Sequence, residues 1–172
     1  MTETYTPPTY LSCAETEKLC RAALKSAFPE VKFSVRSSTY ANGASIRVRW
    51  TDGPLKAEVE KIAGLYAGAT FDGMIDLKSY HDSWLRDEDG EPQRVSFGAD
   101  FVFVDRDISG EWKSEIFALF SRTIGREVAQ DDWNQQVPLA VDRSTGELYH
   151  MVEAETEYVQ DVFHRYTQSR TR

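Results

Sequence analysis

Between Val31 and Trp50 the hydrophobic period is two on both sides of one turn sequence, and this stretch narrows the fold more than any other. Val31, Phe33 and Val35 alternate with Lys32, Ser34 and Arg36. After Tyr40-Ala41-Asn42-Gly43, Ile46, Val48 and Trp50 alternate with Ser45, Arg47 and Arg49. Successive side chains of a strand point to opposite faces, so each run presents one apolar and one polar face. Asn-Gly between two alternating runs is a strong hairpin signal. The spacing predicts a β-hairpin over residues 31–50 whose apolar face must be covered by helices.

The covering helices are legible on either side. Ser12 and Glu15 form a capping-box pattern ahead of Leu19, Ala22, Ala23, Leu24 and Ala27, which predicts a helix over 13–28 stopped by Pro29. Asp52-Gly53-Pro54, with Asp52 as the cap, opens a second helix over 54–66 carrying Val59, Ile62, Ala63 and Tyr66. Phe71-Asp72-Gly73-Met74 reads as a tight turn, and Leu77, Tyr80, Trp84 and Leu85 as one or two helical turns. Val95 to Val104 reads as one strand, buried on both faces at Phe101 to Val104. A helix over 111–125 ends at Gly125. Val137 to Val141 and Leu148 to Val152 flank a turn, and a last helix covers 155–166. The expected class is α+β: an antiparallel sheet with the 31–50 hairpin packed against helices near 13–28, 54–66, 111–125 and 155–166. Residues 1–11 read as a flexible lead-in and 167–172 as a frayed tail. Residues 12–166 read as a single domain, or as two that divide into 12–94 and 95–166.

Composition bounds the function. At 172 residues, 41% apolar and 28% charged, the chain has material for a core and is not disordered by composition. No apolar run approaches the length of a membrane span, and the N-terminus lacks the basic and apolar regions of a signal peptide. Two cysteines make no disulfide framework, so a cytoplasmic location is the default expectation. A net charge of −8 opposes whole-surface attraction to phosphate.

The charge is unevenly spread. Residues 1–71 hold 9 Lys and Arg against 7 Asp and Glu, while residues 72–115 hold 5 against 12. Residues 31–51 contain Lys32, Arg36, Arg47 and Arg49 and no acid. Strand alternation puts these four cations on the face opposite Phe33, Val35, Ile46, Val48 and Trp50. Clustered guanidinium forks suit phosphate or carboxylate groups, and Tyr40 on the hairpin loop adds a stacking surface. The plain alternative is a solvated strand face. Asp87, Glu88, Asp89 and Glu91 form an acidic loop, which is a solvated run or a surface that imitates nucleic acid.

Catalytic patterns are sparse. His81, His150 and His164 do not fall at zinc-hydrolase spacing, and phosphate-loop and dinucleotide glycine patterns are missing. Asp72, Asp76, His81 and Asp82 make the best acid/base cluster, although neighbours in sequence on one helix do not face each other. Cys13 and Cys20, seven residues apart, read as buried small hydrophobes. No metal and no cofactor is expected.

Ala27-Phe28-Pro29-x-Val31-Lys32-Phe33-Ser34-Val35-Arg36, Ser45-Ile46-Arg47-Val48-Arg49-Trp50-Thr51-Asp52-Gly53-Pro54 and Phe71-Asp72-Gly73-Met74-x-Asp76 resemble the large polyvalent protein-associated domain 29 family over about residues 14–82. The resemblance implies a protein of phages, plasmids or conjugative elements, and it brings no catalytic residues. The expected function is a non-enzymatic, macromolecule-binding accessory protein in transfer or counter-defence. A protein partner comes first and nucleic acid, held by the basic hairpin face, second; a homodimer is compatible and a membrane is not expected. The enzyme alternative is a hydrolase or transferase using the Asp/His cluster.

Overall fold

The structure, a computed structural model, describes residues 7–72, 74, 77–86, 89–151 and 156–171, the side chain of residue 72 excepted. The chain divides into two compact units, residues 1–50 with 57–105 and residues 51–56 with 106–172. The elements in order are β1 (Thr9–Leu11), α1 (Cys13–Ala27), β2 (Ser34–Tyr40), β3 (Gly43–Thr51), α2 (Lys56–Ala63), β4 (Ala69–Asp72), β5 (Leu77–Tyr80), β6 (Ser83–Arg86), β7 (Pro92–Phe97) and β8 (Phe101–Asp107). There follow α3 (Gly110–Ile124), β9 (Gln136–Val137), β10 (Leu139–Val141), β11 (Leu148–His150), β12 (Glu157–Tyr158) and α4 (Val159–Gln168). The α+β class expected from the sequence is the class observed.

In the first unit the capping box forms as expected. The Ser12 hydroxyl accepts from the Glu15 amide at 3.3 Å, and the Ser12 amide donates to the Glu15 carboxylate at 2.9 Å. These bonds satisfy two amides that a helix start leaves orphaned. α1 then buries Cys13, Thr16, Cys20 and Leu24, a stripe at helical spacing. That stripe shares a core with Val35, Ile46, Val48 and Trp50 of the hairpin, Val59 and Ala63 of α2, and Val104 of β8.

β2 and β3 are antiparallel, and β8 lies on the other side of β3. The Asp100 amide donates to the Ala44 carbonyl at 2.8 Å, and Asp105 reaches Arg47 and Arg49 further along. β8 therefore runs parallel to β3, which requires the long crossover through α2 and β4 to β7. A second sheet has the order β1, β7, β6, and β4 pairs with β5 as a hairpin. Gly43 is where the hairpin meets the rest of the unit. Asp100, buried, accepts the Ala44 amide at 2.9 Å and the Lys78 ammonium at 2.7 Å. A Cβ on Gly43 would collide with that carboxylate and stand 2.8 Å from the Tyr40 ring.

The second unit packs Trp112, Ile116, Phe117 and Phe120 of α3 against Val137, Leu139 and Val141 and against Val159, Val162 and Phe163 of α4. α3 starts with the Ser109 hydroxyl accepting from the Trp112 amide and stops at Gly125, whose φ of 72° is the left-handed conformation glycine tolerates. Arg106 gathers loose backbone ends: its guanidinium donates to the carbonyls of Asp52 (3.2 Å), Gly53 (3.0 Å), Thr167 (2.7 Å) and Arg170 (3.0 Å). Among the described residues no helix is long and apolar enough to cross a membrane.

Four local expectations change. Residues 77–86, expected as helical turns, form β5 and β6, because β4 and β7 supply partners that no local spacing reveals. The single strand expected over 95–104 is two, β7 and β8, separated where Gly98 donates to the Leu11 carbonyl at 2.6 Å. Residues 101–104 are not buried on both faces: Val104 is buried and Phe103 is exposed. Asp52, expected as the cap of α2, has a φ of 56° and accepts the Ser109 amide at 2.9 Å. Gly73, Val152 and Glu155, named in expected turns and elements, lie outside the described residues.

The Asp100 clamp is testable. Asp100→Ala leaves the Ala44 amide and Lys78 without their acceptor and is expected to lower stability by about 2 kcal/mol in urea unfolding. Asp100→Asn keeps an oxygen for the amide and is expected to lose less.

Candidate functional site

The candidate site is the outward face of the sheet formed by β2, β3 and β8. Antiparallel register sets Arg36 directly opposite Arg47, Ser34 opposite Arg49, and Ser38 opposite Ser45. Directly opposite residues share a face, and burial of Val35, Ile46, Val48 and Trp50 on the inner side turns the arginines outward. Arg36, Arg47 and Arg49 are exposed, as expected from the alternation. Lys32 is exposed too, but it precedes the first paired residue of β2, so the pairing does not assign it to this face.

β8 contributes Asp105. Its carboxylate lies 3.9 Å from Arg47 Nε and 3.8 Å from Arg49 Nε, with all three side chains about half exposed. At those distances it attracts both guanidinium groups without forming a short hydrogen bond to either, and exposed pairs of this kind contribute only ~0–1 kcal/mol. Among the described residues Lys32 and Arg36 have no ion-pair partner. Like charges set opposite each other on a sheet repel, so the Arg36–Arg47 pair concentrates positive charge on this face.

β8 also contributes Phe103, which sequence reasoning missed. It sits two residues before Asp105 and so on the same face, and it is 47% exposed. Phe101 follows the same alternation, its ring centroid 6.3 Å from that of Phe103. Beyond it the Lys78 ammonium lies 5.6 Å from the Phe101 centroid and 4.8 Å from that of Tyr80. The Asp100 carboxylate, and after it Tyr80, raises the Lys78 pKa above the usual lysine value, so the ammonium stays charged. Tyr40, an expected site residue, lies against Gly43 on the same clamp and is exposed. Phe101-x-Phe103-x-Asp105 carries a period of two that identifies this face, but the apolar density of Phe101 to Val104 hides it.

The other candidates do not gather. Of the acid/base cluster, Asp76 and the Asp72 side chain lie outside the described residues. His81 is exposed, and Asp82 is paired with Arg94 at 2.6 Å. In the acidic loop, Asp87 and Glu88 lie outside the described residues, while Asp89 and Glu91 are exposed. Cys13 and Cys20 are buried and unbridged; burial raises the Cys13 thiol and pushes Cys20 up to about 11, which suppresses the nucleophilic thiolate. Among the described residues no group of three or more His, Cys, Asp or Glu is placed to hold a metal ion.

The family model described as large polyvalent protein associated domain 29 matches residues 11–109, which span the hairpin, α1, α2 and all of β8. No curated protein and no solved structure matches the chain.

Asp105→Asn removes the carboxylate that lies near both Arg47 and Arg49. The variant is expected to change stability by less than ~1 kcal/mol in urea unfolding and to bind anionic ligands more tightly in a direct titration.

Proposed function

The chain belongs to the large polyvalent protein associated domain 29 family, which ties it to phages and other mobile genetic elements, and on that premise we propose a non-enzymatic accessory protein that binds nucleic acid through the open face of β2, β3 and β8. The observation that carries the reading is the Arg36–Arg47 pair, held opposite one another by the hairpin register and exposed. Arg49, opposite Ser34 in the same register, extends the cationic patch. Guanidinium forks match phosphate oxygens in geometry and charge, and phosphate contacts supply most of the affinity of nucleic-acid binders.

The net charge of −8 does not defeat this reading. The Debye length is about 8 Å at physiological salt, so acids elsewhere on the chain are largely screened from a phosphate at the patch. Such a module serves transfer of the element or defeat of a host defence. The direct test is anisotropy of a labelled oligonucleotide of about a dozen residues, a length matched to such faces. Arg36→Glu with Arg47→Glu is expected to abolish binding, and log affinity is expected to fall with log salt at a slope of roughly −2 to −3 for three phosphates. Equal binding by wild type and the double variant refutes the reading.

A protein partner, a second copy of the chain included, is the second reading and rests on other residues. Phe71, Met74, Leu77 and Trp84 are all more than half exposed, an apolar exposure that marks docking surfaces when it is contiguous. Its signature is a mass above the monomer in light scattering, alone or with a partner protein from the same element, that Leu77→Lys and Trp84→Lys reverse. A mass that these substitutions leave unchanged removes it.

A further inference from the structure

We propose that the nucleic acid held on this face is single-stranded, with Phe103 as the platform on which an unpaired base stacks and Tyr40, Phe101 and Tyr80 continuing the stacking surface. The inference rests on the nucleic-acid reading above and adds the strand state and the residue that reads it.

Three observations carry it. Phe103 is an exposed phenylalanine on the same sheet face as Arg47, Arg49 and Asp105, so a ring and phosphate-binding groups are offered side by side. A sheet face that buried its aromatics would provide only charge. Phe103 does not stand alone: Phe101 lies 6.3 Å away, and the Lys78 ammonium lies 5.6 Å from the Phe101 ring and 4.8 Å from the Tyr80 ring. The buried Asp100 carboxylate fixes that ammonium at 2.7 Å, so the aromatic row rests on the same clamp that anchors the hairpin. Finally, Tyr40 and Tyr80 are 51% and 69% exposed, so ring area remains open beyond Phe103.

The chemistry selects the strand state. Aromatic side chains stack only on bases whose faces are free, and a duplex hides those faces within its own stack. Same-face neighbours along a strand stand about 7 Å apart, which gives each ring room for its own base. An acidic protein segment would neutralise the arginines and leave the rings unused, whereas a single strand engages both. Recognition of this kind tolerates any sequence, because every base has a π-face.

The experiment titrates wild type, Phe103→Ala, Phe103→Tyr and the Arg36→Glu with Arg47→Glu variant with three labelled probes: oligo(dT), a DNA duplex of the same length, and poly-glutamate. The expected result is tightest binding to oligo(dT), a loss of about fivefold or more in Phe103→Ala, and near-wild-type affinity in Phe103→Tyr, which keeps a ring. Circular dichroism accompanies each variant, and recovery by tyrosine separates lost stacking from lost folding. If the arginine variant loses oligo(dT) while Phe103→Ala binds it like wild type, the stacking inference is overturned and phosphate binding stands. Duplex bound as tightly as oligo(dT), or poly-glutamate bound more tightly than either, also overturns it. Wild type that binds no nucleic acid at all overturns both readings.

Discussion

Burial of one side of the hairpin dictates what its other side presents. Val35, Ile46, Val48 and Trp50 are at most 2% exposed, and each such side chain contributes about 1.5–3 kcal/mol when removed from water. Setting Arg36 opposite Arg47 costs at most ~1 kcal/mol. The hydrophobic term is several times larger, and a one-residue slip of register would invert every side chain. The arginines therefore stay on the open face although they repel one another. The repulsion is retained in the fold as positive charge concentrated on one face.

The third strand extends that face. β8 lies parallel to β3 and brings Asp105 between two arginines and the exposed Phe103 onto the same face, so charge and aromatic surface meet on strands that are far apart in sequence. Asp100, at the entrance to β8, joins this strand to the hairpin turn through the Ala44 amide and to β5 through Lys78. Gly43 is small because the carboxylate and the Tyr40 ring both approach it. One buried acid thus sets the hairpin tip, the lysine among the rings and the start of β8.

The family relation and the face answer different questions. The match over residues 11–109 places the chain among mobile-element proteins, and it covers every residue of the cationic and aromatic surface. It assigns none of them a task. The chemistry of the proposed partner comes from the register of two strands, the exposure of one ring and the distances around one lysine.

Legibility in the sequence followed the range of the interactions. The hairpin, the capping box at Ser12, the glycine stop at Gly125 and the α+β class are local: a period of two, a serine three residues before a glutamate and a glycine after a helical stripe each state their own geometry. Arg36, Arg47 and Arg49 were readable for the same reason. Residues 77–86 were not, since four-residue strands take their conformation from partners at β4 and β7 rather than from their own spacing. Asp105 and Phe103 joined the site only through the crossover that laid β8 along β3. Amino-acid order alone settled which faces were apolar and where local turns and caps lay, because those depend on neighbours within a few residues. Which strands became neighbours, and so which charges and rings share one surface, was decided by tertiary pairing, whose hydrogen bonds join residues far apart in the chain, such as Ala44 and Asp100, 56 positions apart.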